Sequence, residues 1–561
     1  MSRPTSLLLA FLTVAGTLGC LYVPPLSQTS GRKEVLALRP GEETRQSLQV
    51  KLGVPDMVDL PSVQVWEWRQ NRGTLLFVSP AGAGGLSLEG ATFKVLARYE
   101  GDRAVALEAE LEPDKGSVED PPPPLPAERI PLKGANPLPP ESKPASGPKY
   151  YRAWVAPGGE IITLGREGDL WLKTIGPSQS VKVADLSESS WEGNVNDTQE
   201  SLSRDGRLLA LSRGGQIIVW DVAGSKEAAR LPIFDAESPK KAKPVRGMAI
   251  FSPDGKWLAV SALSFSGWSS GARSCLKVLE VGSWKTLWSL EESERKAEGP
   301  HHIQFSPDGT RLLADASYWY LAGSGKYHRD DGGLYETATG HRLARSPAPV
   351  AVFYAEGRRY AALGDELELR ESDNGRLLGR VPLRTGPGAQ SEVKDGWKDF
   401  TARVLPDGSL LAAGKGLLIS CDLVAFERAL TASLPTQGQT PSVDGRAFLQ
   451  VRLLPLRNRH LRTFSEPGSE EMPLRSWHVS PRGDFILERV LVNRTQGFSA
   501  FPFWGTQALW LLDARTLGTL WVERPSREDQ GVAEFTRDGR FLRTIGSEVR
   551  IWDLPKPVAG P

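Results

Sequence analysis

The sequence predicts a mainly β protein assembled from repeated antiparallel units, and three observations carry that reading. A tight Gly-containing turn recurs nine times between Pro157 and Gly539, each time between runs of strand-forming residues. Gly (57) and Pro (43) are abundant, as many turns require. Only 3 Cys occur, so packing rather than a disulfide framework must hold the 561 residues together.

The turns are Pro157-Gly158-Gly159, Arg204-Asp205-Gly206, Pro253-Asp254-Gly255, Pro307-Asp308-Gly309, Ala355-Glu356-Gly357, Pro406-Asp407-Gly408, Val443-Asp444-Gly445, Pro481-Arg482-Gly483 and Arg537-Asp538-Gly539. Pro presets φ, Asp can bond the backbone beyond it, and Gly accepts the positive φ that closes a hairpin. Spacings between the final glycines are 47, 49, 54, 48, 51, 37, 38 and 56 residues. Further strands end in an acidic residue at Asp221, Glu280, Asp422, Asp513 and Asp553. Turns at Thr339-Gly340, Asn374-Gly375 and Leu517-Gly518 then lead to a fourth strand. Four strands per unit of roughly 40–50 residues is the blade of a β-propeller. The short spacings around Gly445 mark one irregular unit, so about eight blades are expected, seven to nine being admitted.

The segments FSPDGKWLAVS and FSPDGTRLLADAS, with Trp220-Asp221 and Trp552-Asp553, resemble the WD40 family over about 400 residues. The resemblance implies a rigid ring that serves as a protein scaffold. The Gly-His dipeptide that opens each repeat in that family does not recur here, so its buried His network is not carried over. The last unit stops soon after Asp553, leaving no room for a fourth strand. An open edge invites aggregation, so a segment around Glu128–Lys133 is expected to complete that blade.

Three regions precede the propeller, which is assigned to residues 150–556. Residues 1–20 read as an export signal: Arg3, then an apolar run from Leu7 to Gly16, too short to span a bilayer. Thr17-Leu18-Gly19-Cys20 resembles the lipobox of bacterial lipoproteins, although Thr17 stands where that family usually has Leu. The resemblance implies lipidation of Cys20 and a stable membrane anchor. No Asp follows Cys20 to retain the chain at an inner membrane, so an outer-membrane address in the cell envelope is expected.

Residues 33–112 read as a small α+β domain. Leu48 and Leu52 share a helix face, Glu42 and Glu43 lie near its start, Lys51 near its end, and Gly53 supplies a stop. VQVWEW, TLLFV, FKVLARY and AVALEAELE read as strands. Gly41, Thr44, Leu52, Gly53, Pro55 and Val65-Trp66 together resemble the small lipoprotein subunit of the outer-membrane protein assembly machine, over about one seventh of the chain. Residues 113–149 hold Pro121 to Pro124 and eight further prolines, as expected of a semi-rigid spacer.

Lys plus Arg is 68 against Asp plus Glu 67, so no basic field exists to capture nucleic acid. No phosphate loop, nucleophile elbow or metalloprotease motif occurs. The chain is therefore read as a non-catalytic binder without cofactor or metal. The competing class is a periplasmic propeller that uses its central channel as an enzyme or as a small-ligand or metal sensor. Loops joining second to third strands should share one rim. Three are long and aromatic: Ser264–Ser274 with Trp268, Ala316–Gly333 with Tyr318, Trp319, Tyr320 and Tyr327, and Val492–Gln507 with Phe498, Phe501, Phe503 and Trp504. Clustered aromatic residues mark binding surfaces, and other cell-envelope proteins are the expected partners.

Weaker candidates lie elsewhere. His301 and His302 are strand neighbours and point apart. His328 with Asp330 and Asp331, and Asn194, Asn196, Asp197 with Glu200, lack a complete ligand set. Cys275 and Cys421 fall in distant units and are expected to be buried free thiols.

Overall fold

The structure is a computed structural model. It describes residues 19–23, 37–53, 55, 58–60, 62–79, 82–110, 150–165, 169–173, 181–185, 201–213, 215–234, 246–265, 272–294, 302–314, 318–321, 326–329, 332–346, 348, 350–383, 400–414, 417–432, 448–454, 474–494, 503–523, 533–545, 548–552 and 554. These fall into two compact units, one reaching Glu110 and the other starting at Tyr150.

The first unit contains β1 (Gly19–Val23), α1 (Arg45–Leu52), β2 (Val58–Leu60), β3 (Val63–Ser79), β4 (Gly82–Glu100) and β5 (Arg103–Glu110). Its sheet runs β1-β3-β4-β5, with β2 on β3. Thr44 caps α1 through a reciprocal box: its Oγ1 accepts from the Ser47 N–H at 3.1 Å, and Ser47 Oγ accepts from the Thr44 N–H at 2.8 Å. The helix ends at Gly53, where φ is 83° and the carbonyl accepts from Trp66 Nε1 at 2.9 Å. Leu48, Leu52 and Trp66 are buried with Val95, Ala97 and Tyr99.

Glu43 does more than neighbour a helix end. Its buried carboxylate accepts from Lys51 Nζ at 2.6 and 2.8 Å and from Ser47 Oγ at 2.7 Å. Burial pushes this carboxyl up, but the Lys51 and Ser47 bonds outweigh it and hold it below the usual range. VQVWEW and TLLFV form a single strand, β3, instead of two. The pairing with β4 shifts register between Arg69 and Gly73 and so carries through the polar segment that separates them.

Among the described residues, the second unit is a succession of eight antiparallel sheets, with a two-stranded ninth inserted in the fourth. The first joins β6 (Tyr150–Val155), β7 (Ile161–Gly165), β8 (Asp169–Lys173) and β9 (Val181–Asp185). The second joins β10 (Leu208–Arg213), β11 (Gln216–Asp221) and β12 (Lys226–Pro232), and Leu202 bridges Leu209 on the β10 edge. The third holds β13 (Arg246–Phe251), β14 (Trp257–Phe265), β15 (Ala272–Glu280) and β16 (Thr286–Glu294). In the fourth, β17 (Ile303–Phe305) and β18 (Arg311–Ala314) continue through an inserted hairpin, β19 (Tyr318–Leu321) and β20 (Lys326–Arg329), to β21 (Gly332–Glu336) and β22 (Arg342–Ser346).

The fifth sheet holds β23 (Val350–Tyr354), β24 (Arg359–Leu363), β25 (Glu366–Glu371) and β26 (Leu377–Pro382). The sixth holds β27 (Thr401–Val404), β28 (Ser409–Gly414) and β29 (Leu417–Asp422), then helix α2 (Leu423–Ala432) and β30 (Leu449–Leu453). The seventh holds β31 (Leu474–Val479), β32 (Phe485–Arg494), β33 (Phe503–Asp513) and β34 (Thr519–Glu523). The eighth holds β35 (Ala533–Phe535), β36 (Phe541–Ile545) and β37 (Glu548–Trp552).

Among the described residues, buried apolar clusters fill seven of the eight seams, and the fifth and sixth units meet where Leu430 lies against Gly379. Trp154 and Leu164 meet Leu209 and Trp220; Ile217 and Val219 meet Phe251 and Leu258; Leu276 and Val278 meet Ile303 and Leu312. Leu313 and Leu334 meet Phe353 and Tyr360, and Leu411 and Leu418 meet Trp477 and Ile486. Leu487 and Leu509 meet Phe535 and Phe541, and Leu542 and Ile551 return to Ala153 and Ile161. The eighth sheet thus packs on the first, which makes the unit a closed propeller.

Seven of the nine turns join a first strand to a second, and Arg204-Asp205-Gly206 joins the Leu202 bridge to β10 in the same way. The ninth, Val443-Asp444-Gly445, lies outside the described residues, between α2 and β30 of one sheet. The irregular unit is therefore the sixth: Asp422 Oδ1 accepts from the Ala425 N–H at 2.9 Å and starts a helix where other sheets place a tight turn.

Where Ser or Thr precedes the turn, one hydroxyl organises it. Ser306 Oγ donates to Asp308 Oδ1 at 2.5 Å and accepts from the Arg311 N–H at 2.9 Å. Ser203 with Asp205, Ser252 with Asp254 and Thr536 with Asp538 repeat the arrangement. Two of the turn glycines also abut the preceding sheet closely: a Cβ on Gly206 or Gly357 would lie 2.8 Å from Pro157 Cδ or Pro307 Cδ. The fifth turn instead holds Ala355 and Glu356 at φ 50° and 57°.

The eighth sheet has three strands among the described residues. The segment Glu128–Lys133, expected to supply a fourth, lies outside them. Pairing on β37 predicts slow amide exchange across Glu128–Lys133, whereas exchange at the free-chain rate contradicts it.

Ser306→Ala should cost about 1 kcal/mol in denaturant unfolding, because it removes the acceptor of the part-buried Arg311 amide and one of the donors to Asp308; Ser306→Thr should cost less. Burial pushes Asp205, Asp254 and Asp308 up, but hydroxyl and backbone donors outweigh it and hold them below the usual carboxylate range. Their stabilisation is present above the unfolded-state pKa and is lost as pH falls through the folded one. Propeller stability should therefore fall below about pH 4, with a shallower slope in Asp254→Asn/Asp308→Asn.

Candidate functional rim

All three aromatic insertions join a second strand to a third. In the third sheet the β14–β15 ladder runs from Trp257 opposite Glu280 to Phe265 opposite Ala272. In the seventh, β32 and β33 pair as far as Arg494 opposite Phe503. These strands have 9, 9, 10 and 11 residues, whereas β7, β8, β24, β25, β28 and β29 have 5 or 6. At about 3.4 Å per residue, the longer hairpins carry their loops roughly 10 Å further. The fourth sheet carries the hairpin β19–β20, with Tyr318 opposite Arg329, Trp319 opposite His328, and Tyr320 opposite Tyr327.

Tyr318, Trp319 and Tyr320 therefore lie on β19, Tyr327 on β20, and Phe503 and Trp504 open β33. Trp268, Phe498 and Phe501 lie outside the described residues. The topology brings the three insertions to one rim of the ring, as the sequence implies.

Buried polar groups fix the bases of these hairpins, and sequence reading did not single them out. In β15, Lys277 is 2% exposed; its Nζ donates to the Pro232 carbonyl at 3.3 Å and lies 3.9 Å from Glu291 Oε1. Two residues earlier, Cys275 Sγ donates to the Ile233 carbonyl at 3.2 Å. Both tie the third sheet to the end of β12. At the next seam, Trp288 Nε1 of β16 donates to the Thr337 carbonyl of the fourth sheet at 2.7 Å and its ring stacks on Tyr335 at 5.9 Å. Thr401 Oγ1 donates to the Trp477 carbonyl at 2.6 Å, joining the sixth sheet to the seventh.

Cys275 and Cys421 are buried free thiols in the third and sixth sheets, and burial pushes the Cys421 thiol up. His302 is exposed. His328 lies on β20, while His301, Asp330, Asp331, Asn194, Asn196, Asp197 and Glu200 lie outside the described residues. Among the described residues no group of three or more His, Cys, Asp or Glu is placed to hold a metal. Cys20 is the second residue of β1, opposite Phe77 of β3.

No protein-family model matches the chain, and no curated protein does. Solved structures that resemble it include the C-terminal WD40 domain of Sif2, with a TM-score of 0.40 and 11% identity over 73% of this chain and 97% of that one. The WD40 domain of SCAP from fission yeast gives 0.38 and 9%, over 74% and 97%. Hydrazine synthase of Kuenenia stuttgartiensis gives 0.34 and 15%, over 68% and 97%. The likeness is one of fold.

The hairpin β19–β20 pairs with no other strand among the described residues. Replacing Tyr318–Arg329 by a short Gly-containing turn should lower the melting temperature by no more than about 2–4 °C. A larger loss would make the insertion part of the core.

Proposed function

We propose that this protein is a non-catalytic lipoprotein of the cell envelope whose propeller is a protein-binding scaffold, with the aromatic rim as its contact face. One observation carries the reading: three separate sheets each place an aromatic insertion between second and third strands. A ring fixed by sheet-on-sheet burial holds such loops at constant spacing, which limits the entropy lost on binding. Aromatic side chains then supply large contact areas at few rotatable bonds.

Export and anchoring rest on the resemblance of Thr17-Leu18-Gly19-Cys20 to a lipobox. Outer-membrane protein assembly is the setting suggested by Gly41, Thr44, Leu52, Gly53, Pro55 and Val65-Trp66.

Cross-linking in cells followed by affinity purification tests the scaffold, comparing the full chain with one whose three insertions are shortened. Envelope proteins captured by the full chain and lost with the insertions are the expected result. An unchanged set of partners would remove the rim as the contact face and leave the first unit or the channel.

A further inference from the structure

The distal half of the first unit's sheet has a composition unlike the rest of the chain. From Gly73 to Leu88 the sequence is GTLLFVSPAGAGGLSL, 16 residues without a charge, where 24% of the whole chain is charged. In the structure this run is the far end of the β3–β4 hairpin, and β1 adds a third strand, GCLYV, also uncharged. The part of β3 beyond Gly73 has a length of about 20 Å.

Register assigns the faces. Opposed residues of an antiparallel pair share a face, and successive residues alternate. Cys20, Tyr22, Leu75, Phe77 and Leu86 fall on one face. Leu21, Val23, Leu76 and Val78 fall on the other. A half-solvated antiparallel sheet is apolar on one face and polar on the other; this ribbon is uncharged on both, with apolar residues on each and Thr74 opposite Ser87 on the second. Cys20 stands opposite Phe77, two residues from the end of β3, so the expected lipid acceptor is at the ribbon's tip. Arg69 and Arg72 lie on β3 just behind the uncharged run, one to four residues from Gly73, with Glu89 of β4 opposite Asn71, so this band carries two cationic residues and one acidic one.

From this juxtaposition we infer that the β1–β3–β4 ribbon is itself a membrane-contacting element, adsorbing to a phospholipid surface beside the lipid on Cys20. An apolar tip with cationic residues behind it matches the boundary between acyl chains and anionic headgroups. Depth is limited, because an open sheet leaves edge N–H and C=O groups unpaired and each costs several kcal/mol in hydrocarbon. The ribbon therefore lies in the interface and does not cross the bilayer. Its role is to hold the first unit against the surface, where acyl chains alone would leave it free to swivel.

The inference adopts the lipoprotein reading for Cys20 but is tested without it. The chain from residue 20, carrying Cys20→Ser so that no lipid can be attached, is floated with vesicles of phosphatidylethanolamine and phosphatidylglycerol. The unlipidated chain should co-float, and Leu75→Asp/Phe77→Asp should reduce the bound fraction at least tenfold, with circular dichroism confirming that both fold. An unlipidated chain that stays in the dense fraction overturns the inference. So does equal flotation of the double variant, or a vesicle-independent dimer that the double variant abolishes. Intact mass of the native chain from membranes tests lipidation at Cys20 separately, so the two ideas can fail independently.

Discussion

Burial of each sheet's face on its neighbour is the constraint from which the rest of the second unit follows. A four-stranded meander cannot bury both of its faces alone, so stability comes from the seams between sheets. Among the described residues, the seam of eighth on first buries Ala153, Ile161, Leu542 and Ile551 together. A polar bond supplements it: Arg537, in the eighth sheet's turn, donates to the Leu202 carbonyl beside the second sheet at 2.7 Å.

Closure frees the rims. Connections that leave the seams intact can lengthen, because a longer surface loop adds little to the entropy of closing it. Helix α2 uses this freedom inside the sixth sheet, where Leu430 fills the space at Gly379 of β26 and Glu427 pairs with Arg359. The aromatic insertions use it at the second-to-third strand junctions. Loops carried in this way can vary without disturbing the ring.

Much of the repeat was legible because its turns are local chemistry. Ser306, Asp308 and Gly309 specify their hairpin within six residues, and so do their counterparts at Ser203, Ser252 and Thr536. Val443-Asp444-Gly445 has the same residue pattern yet falls in the chain between α2 and β30, and α2 is held by contacts with the neighbouring sheet that the local sequence does not reveal. Lys277 was equally hidden, because one of the groups that make its burial tolerable, the Pro232 carbonyl at the end of β12, is 45 residues away. In the first unit Leu48, Leu52 and Gly53 behave as their spacing implies, whereas the continuity of β3 depends on register shifts that composition does not reveal. The rim was legible as topology, since loop position follows from strand order alone.

If ring closure is what holds the second unit together, its sheets should lose stability together when the eighth is removed. Hydrogen exchange followed by mass spectrometry, on the full chain and on one ending at residue 532, measures this directly. Closure predicts that protection falls across the first and seventh sheets and spreads to the third and fourth, which never touch the deleted strands. Full-chain protection retained in the first and seventh sheets of the shortened protein would contradict it.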